Sequence, residues 1–344
     1  MPVTAPQSSP TGAPSSTRTR VAIAGATGYA GQELVRILAR HPAVTLTAAM
    51  SSGATSAPRP LPALARIWDG AIVPLDVERL VADADIVFLA LPEAASAELA
   101  PKLVERGCRV IDLSGAFRIR DTAARAKWYP ATTALPAGTV YGFSERNRDE
   151  IRSAKLLSNP GCYPTAALLA LAPLAEAGLL AGNAVIDAKS GVSGAGKAAT
   201  ERTHFSENHG SVAAYGIFSH RHTAEMEQEL SAPVTFVPHL VPLDRGILET
   251  IYVSLRPGTT EAQVGQALTS AYADAPFVRL TGSTLPEIKH VAHTNFCDIG
   301  WKVDADGSRA VLVAVLDNLV KGAAGSAVQN LNIMLGIDER TGLL

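Results

Sequence analysis

The stretch from Arg20 to Arg40 constrains the fold of this chain more than any other. Arg20 to Ala24 is a short apolar run that passes directly into Gly25-Ala26-Thr27-Gly28-Tyr29-Ala30-Gly31. From Gln32 to Arg40, Leu34, Ile37 and Leu38 recur at helical spacing. Strand, glycine loop and helix in that order predict the first unit of a doubly wound, Rossmann-type parallel sheet. The glycines allow a tight turn and let the backbone approach a pyrophosphate at the helix N-terminus. The spacing is GxxGxxG and not GxGxxG, so the flanking strand and helix carry the reading. Gly25, Thr27, Gly28, Tyr29 and Gly31 are the dinucleotide contacts it predicts.

A second strand, Val44 to Met50, ends in Ser51-Ser52 where an acidic residue would bind a ribose 2′-hydroxyl and repel a 2′-phosphate. Two hydroxyls there favour NADP over NAD; the plainer alternative is a polar turn. Ala84 to Leu91 is almost continuously apolar, as in a parallel strand covered on both faces. Pro92 ends it, a helix is expected over Ala94 to Arg106, and Arg109 to Leu113 reads as another strand. Asp112 to Arg118 then leaves the carboxyl end of that strand, where ligands bind in such sheets. Arg118 either grips a carboxylate or phosphate, or is an ordinary surface arginine.

Ser158-Asn159-Pro160-Gly161-Cys162-Tyr163-Pro164 combines turn chemistry with a cysteine, and Leu168, Leu169, Leu171 and Leu174 follow as a buried helix. Cys162 is therefore expected at a helix N-terminus, where free N–H groups favour a thiolate. A small buried hydrophobe is the competing reading. Beyond it, Asn183 to Ser190 reads as a strand opening into a second glycine-rich loop, Ser190 to Lys197. There Ser193, Gly194 and Gly196 can present backbone N–H groups or let a ring approach. His220-Arg221-His222 lacks a third ligand at a metal-binding spacing, so it suits acid–base work beside an anion and no metal site is expected. Strands over Val234–Pro238, Ile247–Leu255 and Ala310–Leu316, a helix over Glu261–Ala273 and a last helix from Asp317 to about Leu335 imply a second, mixed or antiparallel sheet.

With 344 residues the chain has room for two domains, and its formal charge of −2 gives no reason to expect nucleic acid or a membrane surface as partner. Three cysteines form no disulfide framework, and a reducing cytoplasm is the natural compartment. The opening stretch is rich in Pro, Ser, Thr and Ala and lacks the apolar centre of a secretory signal, so residues 1–19 read as a disordered tail. A nucleotide-binding domain over 20–160, a catalytic and oligomerisation domain over 161–316, and a helix over 317–344 returning to the first domain complete the expected plan.

Eight motifs occur together and in order: GATGYAG, DLSGAFR, PGCYPTAA, SGVSGAGK, HRHTAE, PHLVPLDRGILETI, FCDIG and DNLVKGAAGSAVQ. By these the chain resembles the N-acetyl-γ-glutamyl-phosphate reductase family of arginine biosynthesis, a relative of the aspartate-semialdehyde dehydrogenases. The resemblance runs from about Arg20 to the C-terminus. It implies NADPH-dependent reduction of a small acyl phosphate, Cys162 as nucleophile, His220 as acid–base, and a homo-oligomer, dimer or tetramer. It further implies that Asn318 contacts the cofactor and that Arg118, Lys197, Arg221 and Arg245 serve the substrate's anionic groups. If the HRH segment is extended, His220 and His222 point to opposite sides and only one faces Cys162. Two segments depart from the family pattern: LPEAAS stands where many members carry LPHxxS, and YGFSE replaces YGLPE. The alternatives are a phosphorylating dehydrogenase for aspartyl or carrier-linked aminoadipyl phosphate, or a nucleotide-sensing regulator without turnover.

Overall fold

The computed structural model describes residues 18–51 and 57–344; most of the expected tail, and Ser52, lie outside them. Among the described residues, fourteen strands form two seven-stranded sheets. The first contains β1 (Thr19–Ala24), β2 (Val44–Ser51), β3 (Ile72–Pro74), β4 (Ile86–Leu89), β5 (Arg109–Asp112), β6 (Thr139–Tyr141) and β7 (Leu156–Ser158). Its order is β3-β2-β1-β4-β5-β7-β6, parallel throughout, so the chain reverses direction of travel between β1 and β4. The glycine loop leaves β1 at that switch point, the place where an open parallel sheet forms its ligand crevice.

Helices α1 (Tyr29–Leu38), α2 (Val77–Asp83), α3 (Glu93–Glu105), α4 (Thr122–Trp128) and α5 (Arg148–Ser153) accompany this sheet. α1 begins earlier than the apolar spacing implies, because the last residues of the glycine loop already adopt its first turn. Gly31 lies inside the helix, where a Cβ would fall 2.2 Å from the Gly25 carbonyl oxygen. Gly25 itself has φ +95° and is pressed against the Ala90 carbonyl. Both glycines are there for close approach.

Next comes α6 (Cys162–Glu176), which is apolar all round and buried almost throughout. Leu168, Leu169, Leu171 and Leu174 are each fully buried, a contribution of about 1.5–3 kcal/mol apiece. The helix packs on the second sheet: β8 (Ala184–Gly191), β9 (Ala213–Ala214), β10 (Val234–Val241), β11 (Ile247–Ser254), β12 (Val278–Gly282), β13 (Cys297–Val303) and β14 (Arg309–Leu316). The order β12-β13-β14-β11-β8-β10-β9 mixes parallel and antiparallel pairs. Around it lie α7 (Phe205–Asn208), α8 (His222–Leu230) and α9 (Glu261–Ala271).

The chain ends in a π turn, Val320–Ala324, and α10 (Gly325–Leu335), where the sequence pattern suggested one continuous helix. Ala327, Val328, Leu331, Ile333 and Met334 of α10 share a core with Val21, Ile23 and Leu34 of the first sheet and α1. A buried ion pair fixes this return. Lys321 donates to Glu145 at 2.6 Å and to Gln329 at 2.7 Å. Burial alone would raise the Glu145 carboxyl, but Lys321 holds it below the usual range. The YGFSE departure lies beside this pair and leaves its glutamate in place: Ser144, one of the two differing residues, donates to Asn330 of α10 at 2.8 Å.

Candidate active site

One cleft of about 390 Å³ opens between the two sheets, and Cys162 lines it. The cysteine is the first residue of α6, and Gly161 is the helix cap with φ −69° and ψ 154°. Pro164 falls in the first turn, where its missing N–H breaks no helical bond. The Asn159 amide donates to the Asp112 carbonyl at 2.8 Å, which ties the turn to β5. There is no room for side chains around the thiol. A Cβ on Gly161 would fall 2.6 Å from His222 Nε2, and one on Gly322, in the π turn, 2.8 Å from the cysteine Cβ.

Burial pushes the Cys162 thiol up to about 11, while the Arg118 guanidinium and the Tyr163 amide pull it down. The expected amide at the helix N-terminus is present, yet in the free protein desolvation outweighs it. At neutral pH a group so placed rests as the neutral thiol.

The HRH segment is not extended. Arg221 has helical dihedrals (φ −60°, ψ −26°) and caps α8, so His220 and His222 both line the cleft, their ring centroids 4.7 Å apart. The expectation that they point to opposite sides fails, because the segment is already turning into a helix. The His222 amide donates to His220 Nδ1 at 3.1 Å. That bond places the neutral ring's proton on Nε2, the form that donates hydrogen bonds. Burial, then the Arg221 charge, push His220 down to about 4. His222 is more deeply buried, and its Nε2 lies 3.4 Å from Arg118 Nη1. Burial and the His220 ring hold it well below the ordinary histidine range.

Glu225 organises this group. Fully buried on α8, it accepts from the Gly161 amide at 2.8 Å and the Tyr141 hydroxyl at 2.7 Å through Oε1. Its Oε2 accepts from Arg118 Nη1 at 3.3 Å. Sequence reasoning passed over it; the usable signal was its position three residues after His222 on a helix, which puts both on one face.

The four predicted substrate cations have different surroundings. Arg118 lines the cleft, but it also donates to the carbonyls of Asn159 and Leu113, each at 2.9 Å, so most of its donors already have protein partners. Lys197 reaches back from the second glycine loop to the Thr27 carbonyl at 3.3 Å. Arg221, half exposed at the mouth, pairs with Glu93 of the LPEAAS segment. Arg245 does not line this cleft. It bridges Glu33 at 2.5 Å and Asp317 at 3.4 Å and pins α1 to the second domain. A motif cannot reveal that its arginine has two carboxylates from distant chain segments waiting for it.

At the nucleotide end, Gly28, Tyr29, Gly31, Ser193, Gly194, Gly196 and Asn318 line the same cleft as Cys162. Gly25, Thr27 and Ser51 stand beneath and beside it, with Thr27 Oγ1 3.4 Å from Ser51 Oγ. Asn318 donates to Ser193 Oγ at 2.9 Å and accepts from the Gly246 amide at 2.7 Å, fixing the second glycine loop. The N-cap of α1, Gly28, uses no side-chain cap, so the first-turn amides face the cleft without a protein carboxylate in front of them. Bare backbone of this kind fits a pyrophosphate. Among the described residues, no group of three or more His, Cys, Asp or Glu side chains is placed to hold a metal ion. No described helix is long and apolar enough to cross a membrane.

Residues 20–154 match the family model described as "Semialdehyde dehydrogenase, NAD binding domain", and residues 162–318 the one described as "Semialdehyde dehydrogenase, dimerisation domain". The chain is 44% identical to N-acetyl-gamma-glutamyl-phosphate reductase of Brevibacillus brevis, over 94% of this chain and 97% of that protein. Likeness to the reductases of Syntrophobacter fumaroxidans (46%, 94% and 97% covered) and Bacillus subtilis (45%, 94% and 98% covered) is of the same order. In fold it is similar to aspartate semialdehyde dehydrogenase II from Vibrio cholerae, with a TM-score of 0.72 at 20% identity, covering 93% of this chain and 99% of that one. The Candida albicans aspartate semialdehyde dehydrogenase solved with NADP gives 0.69 at 16% identity, with 93% and 99% covered.

Proposed function

Since the chain belongs to the N-acetyl-γ-glutamyl-phosphate reductases of the semialdehyde dehydrogenase family, we propose that it reduces N-acetyl-L-glutamyl 5-phosphate to the 5-semialdehyde, releasing phosphate, in arginine biosynthesis. The observation that carries the reading is the meeting in one cleft of Cys162, His220 and the bare N-terminus of α1.

Cys162 Sγ attacks the acyl carbon, the bond from that carbon to the phosphate oxygen breaks, and the thiol proton leaves with the phosphate. Covalent capture divides one difficult displacement into two easier ones. Gly28, Gly31 and the Ser193–Gly196 loop would hold NADPH, which when bound would supply the hydride. His220, with its proton on Nε2, hydrogen-bonds the oxygen that becomes negative as the thioester is reduced and holds it while the adduct collapses to aldehyde and thiolate, which then takes a proton from water. Glu225 keeps the cysteine turn in register through the Gly161 amide. Arg118 holds the turn from the other side and lends positive charge to the sulfur.

The assay is NADP reduction by N-acetylglutamate semialdehyde with phosphate, run beside aspartate semialdehyde. Preference for the latter would overturn the substrate; absence of turnover with either, together with NADP binding, would favour a nucleotide sensor.

We further infer a homo-oligomer formed through the second sheet. Its inner face carries α6, while Val185 and Tyr252 on the opposite face are exposed. Tyr252→Arg should lower the oligomer mass in light scattering. All three cysteines are free, which fits the reducing cytoplasm in which we place the protein.

A further inference from the structure

An acyl phosphate brings a doubly charged group to the cleft, and the protein must offer it a cation that is free to change partners. Arg118 is unsuited to this: it is buried, and Asn159, Leu113 and Glu225 hold its guanidinium. Lys197 is turned to a backbone carbonyl at the nucleotide end. Arg221 is the exception. Its side chain is 52% exposed, and among the described residues its one ion pair is with Glu93.

That pair spans the mouth of the cleft. Glu93 is the first residue of α3, on the first sheet, and Arg221 is the cap of α8, on the second. Both line the cleft that contains Cys162. The Arg221 guanidinium also lies over the Tyr129 ring, 5.7 Å from its centre, which fixes where the charge is presented. An exposed ion pair is weak, so an incoming dianion can displace the carboxylate and take the planar guanidinium two-pronged. Glu93 then keeps a favourable place, because a carboxylate in the first turn of a helix is stabilised by the helix dipole.

We propose that Glu93 is a specificity-determining residue that occupies Arg221 as a stand-in for the substrate's phosphoryl group and yields it only to a strongly anionic ligand. The proposal deepens the reductase reading and rests on it for the identity of the anion. By this exchange Arg221 is the phosphate-binding cation, and Arg118 shapes the cysteine turn.

The test uses the full-length enzyme, Glu93→Gln, Arg221→Gln and the double variant. Two readouts are compared: the KM for inorganic phosphate in semialdehyde oxidation, and the phosphate dissociation constant from 31P line broadening. Glu93→Gln should lower both about two- to five-fold, the strength of an exposed ion pair. The KM for NADP should stay the same. Arg221→Gln should raise both phosphate constants, and on that background Glu93→Gln should have no effect. Unchanged or weaker phosphate binding in Glu93→Gln, or an effect that persists without Arg221, overturns the proposal. The line-broadening arm needs no turnover, so loss of the reductase reading alone would show as an inactive wild type that still displays the exchange.

Discussion

The Gly161 amide donates to the Glu225 carboxylate across 2.8 Å, and the thiol-bearing turn is thereby held by a buried side chain of α8, 64 residues further along the chain. The same carboxylate meets Arg118, so turn, arginine and α8 are bonded to one another through it. Replacing Glu225 by Gln keeps an acceptor for Gly161 but leaves Arg118 buried beside a neutral group. Removing one partner of a buried pair costs roughly 3–5 kcal/mol. The urea midpoint of Glu225→Gln should fall accordingly, and an unchanged midpoint would show that the pair does not hold the turn.

Cys162→Ser should abolish turnover and leave NADP binding near normal, because a hydroxyl is a far weaker nucleophile at neutral pH. More than about a tenth of wild-type rate in the serine variant would exclude a covalent role, since losing a required nucleophile costs several orders of magnitude. In the free enzyme, alkylation of this thiol by iodoacetamide should rise with pH toward about 11, well above the range of an ordinary cysteine.

Gly322→Ala is the sharper structural probe. Its new methyl would fall 2.8 Å from Cys162 Cβ and 3.2 Å from Leu316 Cδ1. The cysteine must shift, and a misplaced nucleophile can cost on the order of a hundred-fold in rate. kcat should drop while NADP affinity holds; a normal kcat would mean that the π turn does not set the thiol's position.

The two histidines should separate by what each loses. His220→Asn should slow turnover by roughly a hundred-fold or more, the scale of a lost acid–base group. His222→Asn should act mainly on packing against Gly161 and Arg118. His220 also predicts an acid-side stability profile. Its position near 4 lies below the ordinary 6.5, so its stabilising contribution is complete above pH 6.5 and is lost as pH falls through about 4. That loss amounts to about 3 kcal/mol at most. Thermal melts of His220→Asn between pH 7 and 4 should be flatter than wild type, and an equally steep decline would contradict the assignment.

Cofactor choice is a fifth feature to probe. With no acid at the end of β2, kcat/KM should clearly favour NADP over NAD, and Ser51→Asp should erase the preference by repelling the 2′-phosphate. Equal use of both by wild type would count against the reading.

Elements with their own periodicity were legible in the sequence: the β1 loop, α3, α6, α9 and the long strands of the second sheet. The short strands β3, β6 and β7 were not, since three residues carry no period and gain their pairing from neighbours supplied elsewhere. The cleft was legible as a set of residues, with Cys162 and His220 brought together across 58 positions of chain. What escaped was how charges pair. Arg245 and Arg221 look alike in a motif, yet one is fastened by Glu33 and Asp317 and the other meets a single carboxylate at the rim. The Cys162 environment escaped for a related reason: a helix N-terminus can be read from sequence, whereas the desolvation around it depends on Gly322 and α8 arriving from elsewhere.

The return of α10 into the first sheet's core has a consequence for how the protein is made. Residues 324 to 334 fill the same core as β1 and α1, so a nascent chain on the ribosome has an open hydrophobic face on its first domain until α10 has been made. The usual sequence, in which an N-terminal domain folds while the next is translated, is unavailable here. Nor can the thiol become competent early, because Gly322 closes the space behind it only after the whole second sheet has been made. The nucleophile therefore matures together with the whole fold.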